Sequence, residues 1–186
     1  MNNNNNNIQK NILFIDAESA SLREEIFAVA LIGFNGEVLF NGYYNHKEMQ
    51  DPTSWVAQNV KLTGTEFATR EEFLNAFLAA FEAAREKYGF GDYKSLAVCG
   101  HMPVPVEANL FQQLYEEAGM GEFSGPYHMF NTDTLLLVAG EKPDSEQAYA
   151  EKHGLELPEG YVPHSALSDA QLTRLVWLDL TEKLVK

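Results

Sequence analysis

The apolar run Ile12-Leu13-Phe14-Ile15 ends in two carboxylates, Asp16 and Glu18, and no other stretch constrains the chain as strongly. Four bulky apolar residues in succession, bounded by polar ones, describe a strand buried on both faces. Side chains alternate along a strand, so Asp16 and Glu18 leave it on the same face. Two anions at the end of a buried strand need compensation, and the next Lys or Arg along the chain is Arg23. A hard divalent ion meets that need, because Mg²⁺ and Mn²⁺ take carboxylate oxygens and often bridge to phosphate. The plainer reading leaves both acids in solvent at a strand end, and for an isolated Asp-x-Glu that reading stands.

A second constellation changes the balance. In Pro163-His164-Ser165-Ala166-Leu167-Ser168-Asp169-Ala170, a histidine precedes an aspartate by five positions at the start of a helical pattern. Ser165 is placed to act as N-cap, and Asp169 falls early in the helix, where a carboxylate suits the helix dipole. His164 then lies in the preceding loop, able to swing over a neighbouring site. Taken singly, Asp169 is a dipole-stabilising acid and His164 a surface residue. Taken with Asp16 and Glu18, they make a candidate site.

These two motifs resemble a known family. Phe14-Ile15-Asp16-Ala17-Glu18 is similar to the first motif of the DEDD exonuclease superfamily. His164-x-Ala166-x-x-Asp169 is similar to the third motif of its histidine-containing branch, which includes RNase T, oligoribonuclease and the proofreading subunit of bacterial DNA polymerase. The resemblance runs from about residue 11 to the end, with the motifs in the family's order.

The middle motif departs from the pattern. The family has His-Asn-x-x-Phe-Asp entering a helix, whereas this chain has His101-Met102-Pro103-Val104-Pro105-Val106-Glu107. Glu107 is the best match for the aspartate. The asparagine is missing and the loop is one residue longer. Glutamate is one methylene longer than aspartate, so its carboxylate can still reach a metal or the metal's water. The plainer reading makes Glu107 a first-turn helix acid.

The resemblance implies a metal-dependent 3′–5′ exonuclease that hydrolyses single-stranded or short RNA or DNA from the 3′ end and releases nucleoside monophosphates. It implies two divalent ions, Mg²⁺ or Mn²⁺, about 3.5–4 Å apart, one activating water and one stabilising the leaving oxygen. Asp16 would bridge both, Glu18 and Asp169 would complete one site, and Glu107 would act through a metal-bound water. His164 would be the general base, a role that suits a side chain titrating near neutrality. Dimers are frequent among the relatives, so a homodimer is one expected assembly. The alternative is a catalytically weak descendant that binds nucleic-acid ends or a protein partner, consistent with the altered middle motif.

The order of elements supports the same fold. Ile26–Phe34 and Glu37–Tyr44 read as strands joined by Asn35-Gly36, a strong hairpin signal. Phe73, Phe77 and Phe81 recur every fourth residue within a helix over 71–88. Strands over 95–99 and 127–130 alternate with helices over 106–118, 132–139, 145–153 and 166–185. Three antiparallel strands followed by alternating strands and helices predict an α/β, ribonuclease-H-like mixed five-stranded sheet with helices on both faces.

Composition frames the site. The 186 residues predict one domain over 11–186, preceded over 1–10 by a disordered low-complexity tail carrying six consecutive asparagines. No stretch is long and apolar enough to span a membrane, and the tail lacks the segments of a signal peptide. A single cysteine, Cys99, fits a reducing compartment, so the expected location is cytoplasmic. The formal charge is −14, and two divalent ions would leave about −10. Proteins that track a long phosphate backbone carry a basic stripe. Here Lys and Arg are scattered, which favours a substrate held by its terminal nucleotides. Trp55 and Phe67 lie in the segment after the hairpin where relatives carry substrate contacts, although simple packing explains them as well.

Overall fold

The computed structural model describes residues 12–89, 95 and 97–184; the Asn-rich segment over 1–10 lies outside them. Six strands form one mixed sheet: β1 (Ile12–Ser19), β2 (Ile26–Ile32), β3 (Val38–Tyr44), β4 (Thr65–Phe67), β5 (Ala97–Gly100) and β6 (His128–Asn131). Their order across the sheet is β4-β3-β2-β1-β5-β6. Strands β1, β2 and β3 run antiparallel in sequence, while β4 pairs parallel with β3, and β5 and β6 add parallel on the other side of β1. The fold is ribonuclease-H-like, with one strand more than the five expected. The additional strand, β4, has three residues, too few to show a two-residue period, and it sits at the sheet edge.

Seven helices complete the described residues: α1 (Lys47–Gln50), α2 (Trp55–Asn59), α3 (Arg70–Lys87), α4 (Val106–Glu117), α5 (Thr132–Val138), α6 (Glu146–His153) and α7 (Ala166–Leu184). The Asn35-Gly36 turn falls where expected, but its loop spans residues 33–37. The Gly33 amide donates to the Glu37 carbonyl at 2.9 Å, and the ladder shifts register between Leu31 and Ile32, so the strands stop short of a two-residue hairpin. Gly36 takes φ 88°, which a glycine adopts without steric cost.

The alternation of β1 places the site. Leu13, Ile15 and Ala17 join the core beneath α3 and α4, with Phe73, Phe77, Phe81, Leu110 and Leu114. Ile12 and Phe14 join a second cluster beneath α7, with Ala166, Ala170 and Trp177. By the same alternation Asp16 and Glu18 face α7, the helix that carries Asp169. Helix α3 is built as its sequence demands. The Thr69 hydroxyl caps the Glu72 amide at 3.2 Å, Glu72 reaches back to the Ala68 amide at 3.1 Å, and Phe73, Phe77 and Phe81 are all fully buried. Among the described residues, no helix is long and apolar enough to cross a membrane.

Candidate active site

Strand β5 pairs with β1 only as far as Phe14, so the last five residues of β1, Ile15 to Ser19, project beyond that pairing and carry Asp16 and Glu18. Gly100 ends β5 so close to β1 that an added Cβ would meet the Ile15 carbonyl at 3.3 Å and Pro103 at 3.0 Å. From α7, Asp169 arrives in the first turn. One ligand oxygen from each of Asp16, Glu18 and Asp169 lies within 4.8 Å of the others. Three half-buried carboxylates at that spacing, with oxygen donors only, suit a hard cation such as Mg²⁺ or Mn²⁺.

Glu107 approaches from the opposite face of the sheet, on the first turn of α4. It is 3% exposed, and its Oε1 accepts the Ala17 amide at 3.1 Å, a donor left free because β5 has already ended. Glu107 is therefore beside the cluster but is tied to the strand's backbone, and it stands outside the group of three. The lengthened loop before it and its extra methylene allow that reach.

Beside the cluster opens a cleft of about 300 Å³ walled by Asp16, Asp169, His101, Glu146, Tyr161 and His164, among others. His164 occupies the left-handed region at φ 57°, which costs a non-glycine residue about 1–2 kcal/mol. Its carbonyl accepts the Lys61 amide at 2.7 Å, which holds the loop, and its ring meets Trp55 edge-on with centroids 5.1 Å apart. Trp55 is itself 59% exposed at this rim. Ser165 stands at the expected N-cap position, immediately before α7, with its buried hydroxyl against the Thr63 hydroxyl at 3.3 Å. Its carbonyl accepts the Asp169 amide at 2.9 Å. Tyr161 donates its hydroxyl to Asp169 Oδ1 at 3.0 Å.

Among the described residues, no Lys or Arg forms an ion pair with these crowded carboxylates. Burial, then the charges of Glu107, Glu18 and Asp169, hold the Asp16 carboxyl well above the usual range. Glu18 is pushed up to about 7 by burial and by Asp169. Burial raises Glu107 to about 8, although the Ala17 amide opposes the shift. Asp169 is raised by burial, with the Tyr161 hydroxyl and the His164 and Ser165 backbone pulling the other way. A divalent ion entering such a cluster would favour the ionised carboxylates and oppose these upward shifts.

One acid here escaped the sequence reading. Glu146, at the start of α6, is 5% exposed in the cleft wall. Ser145 caps that helix onto the Ala148 amide at 3.1 Å, so in sequence Glu146 looks like an ordinary first-turn acid. The signal available was positional: Glu146, Tyr149 and Ala150 share one face, and the other two are core residues. The remaining histidines lie away from the cluster. His46 is buried, stacks on Phe27 and caps α1; His153 pairs with Glu141 at 2.8 Å; and His128 stacks on Phe130.

No family model matches the chain, and no curated protein sequence does. Solved structures do. The Mg²⁺- and Mn²⁺-bound form of Pop2p from S. pombe superimposes with a TM-score of 0.60 at 10% identity, covering 95% of this chain and 85% of that one. A chain from the structure of the yeast NOT1 MIF4G domain co-crystallised with CAF1 gives a TM-score of 0.58 at 9% identity, covering 96% and 83%. At such identities the likeness is one of fold. It extends over nearly the whole described domain.

Proposed function

We propose that the chain is a metal-dependent 3′–5′ exonuclease of the histidine-containing DEDD type, acting on the 3′ end of single-stranded or short nucleic acid. The observation that carries this reading is the convergence of Asp16, Glu18 and Asp169 within 4.8 Å, from a central strand and the helix packed on it. The ribonuclease-H-like fold, shared with a Pop2p structure that binds Mg²⁺ and Mn²⁺, supports it. Two divalent ions, when bound, supply an activated water and neutralise charge at the scissile phosphate. Asp16, Glu18 and Asp169 would hold them, with Glu107 at the flank that its Ala17 contact allows. His164, on the cleft wall, would accept the proton of the attacking water on a ring nitrogen. The exposed ring of Trp55, beside His164, offers a face on which a terminal base can stack.

The net charge of −14 disfavours an extended phosphate track, so the substrate is gripped at its last nucleotides. The test is end-labelled single-stranded RNA and DNA of several lengths, with Mg²⁺ or Mn²⁺. The expected result is stepwise release of nucleoside monophosphates, with short oligomers handled at least as well as long ones. Preference for long strands with internal products would overturn the reading. A second reading, a weak nuclease that docks a protein partner, is favoured by two observations: Glu107 is engaged by backbone, and the yeast CAF1 structure was co-crystallised with the NOT1 MIF4G domain. Turnover no faster than that of the Asp16→Asn protein would select it.

A further inference from the structure

Glu146 is a buried carboxylate that, among the described residues, pairs with no Lys or Arg. Its Oε1 accepts the hydroxyl of Thr132, at the β6–α5 junction, and its Oε2 accepts the hydroxyl of Thr173, on α7, at 2.8 Å. Both threonines are fully buried. Among the described residues the nearest basic group is His101, whose Nδ1 lies 3.6 Å from Oε1. That ring is held neutral by burial, against the pull of Asp133 and Asp144. Since Thr132 donates to Glu146, His101 Nδ1 is the donor in its 3.1 Å contact with Thr132. Burial penalises the charged carboxylate, a cost that the two threonine hydroxyls offset only in part.

The position of Thr173 points to what the carboxylate does. Thr173 follows Asp169 by four residues, so the two stack on one face of α7. Through Thr173 and Thr132, Glu146 brackets α7 against the strand layer one turn beyond Asp169. It also lies on the same cleft wall as Asp16 and Asp169 and acts on both electrostatically.

We infer that Glu146 is a positioning residue for the acidic cluster: it fixes Asp169 through the Thr173–Thr132 bracket and adds negative potential that draws a divalent cation to Asp16 and Asp169. This rests on reading the cluster as a metal centre. It assigns Glu146 a role in strengthening metal binding, at the expense of stability in the metal-free protein.

The test is Mn²⁺ affinity by calorimetry at pH 8, together with metal-free thermal midpoints, for wild type, Glu146→Gln, Glu146→Leu and Thr173→Val. Glu146→Gln keeps the shape and removes the charge, and weakens Mn²⁺ binding on the order of tenfold. Glu146→Leu also removes the bracket and weakens binding further, while the metal-free midpoint of Glu146→Gln, which still offers the threonines an acceptor, is no lower than that of wild type. Thr173→Val, with the charge intact, weakens binding less than either. A purely structural glutamate gives the opposite pattern, lower midpoints with unchanged Mn²⁺ affinity, and that result overturns the inference. If wild type itself binds no Mn²⁺, the metal-centre reading falls, and this inference with it.

Discussion

The two flanks of the cleft are built on different principles. On one flank, Asp16 and Glu18 stand on a strand laddered to β2 along its length and to β5 as far as Phe14, and Asp169 stands on a nineteen-residue helix packed against it. On the other flank, His164 stands on an irregular connection between α6 and α7, in a left-handed backbone conformation, with its carbonyl tied to Lys61. The contrast teaches how this site divides its work. Ligands for a hard cation must converge to fractions of an ångström, and regular elements supply that convergence. A group that moves a proton needs only to reach the water, and a loop serves it. Left-handed backbone at a non-glycine residue puts local strain at His164, which the role proposed for it would account for.

The sharpest way to break the comparison is on the strand flank. Asp16→Asn removes an anionic ligand at nearly constant volume, and hydrolysis should fall to the background seen with chelator while the thermal midpoint holds or rises. Midpoint and rate measured on one preparation check both halves. On the loop flank the loss should be smaller. His164→Ala should keep Mn²⁺ affinity and reduce the single-turnover rate by about 10²–10⁴-fold. A near-normal single-turnover rate in that variant would remove His164 from the mechanism. At the rim the effect is smaller again. Trp55→Ala should raise KM about tenfold, as for one lost base stack, with kcat changed little; a loss confined to kcat would show that Trp55 acts on His164 and not on substrate.

The smallest expected effect is on stability and distinguishes the flanks by pH. Glu18 and Glu146 sit near 7 and Glu107 near 8, all raised above the ordinary glutamate value by burial. Between the ordinary and the raised values the folded protein holds protons that the unfolded chain has released. Its stability is therefore greatest near pH 5 and falls as pH rises through 7 and 8. The carboxylates shifted downward, Glu37, Asp51, Glu141 and Asp179, titrate below that window and do not mask it. Metal-free melting between pH 5 and 8.5 should show a falling midpoint that Mn²⁺ restores most at the alkaline end. A flat profile would mean that the acids are not buried as described.

The strand flank was legible in the sequence because its signals are local. A buried strand announces itself in four consecutive apolar residues, α3 in its phenylalanines at every fourth position, and α7 in the His164-x-Ala166-x-x-Asp169 pattern. What was not legible depends on contacts between distant segments. Strand β4 is three residues held by pairing to β3, and α1 and α2 are single turns capped by His46 and Ser54, too short for a period to form. Glu107 was found by motif, but its tie to the Ala17 amide follows from where β5 stops, a matter of register. Glu146 was missed because a first-turn acid after a capping serine has a sufficient local explanation; only the fold brings Thr132 and Thr173 to it.

The central claim is that the carboxylates at the end of β1 and the start of α7 hold divalent cations that drive hydrolysis from a 3′ end. It is tested most directly by offering the purified protein Mn²⁺ and an equal mixture of linear and circularised copies of one single-stranded oligonucleotide, with and without excess chelator. The account predicts that the linear strand shortens from its 3′ end one nucleotide at a time, that the circle survives, and that chelator stops the reaction. Cleavage of the circle, or undiminished hydrolysis in excess chelator, would contradict it.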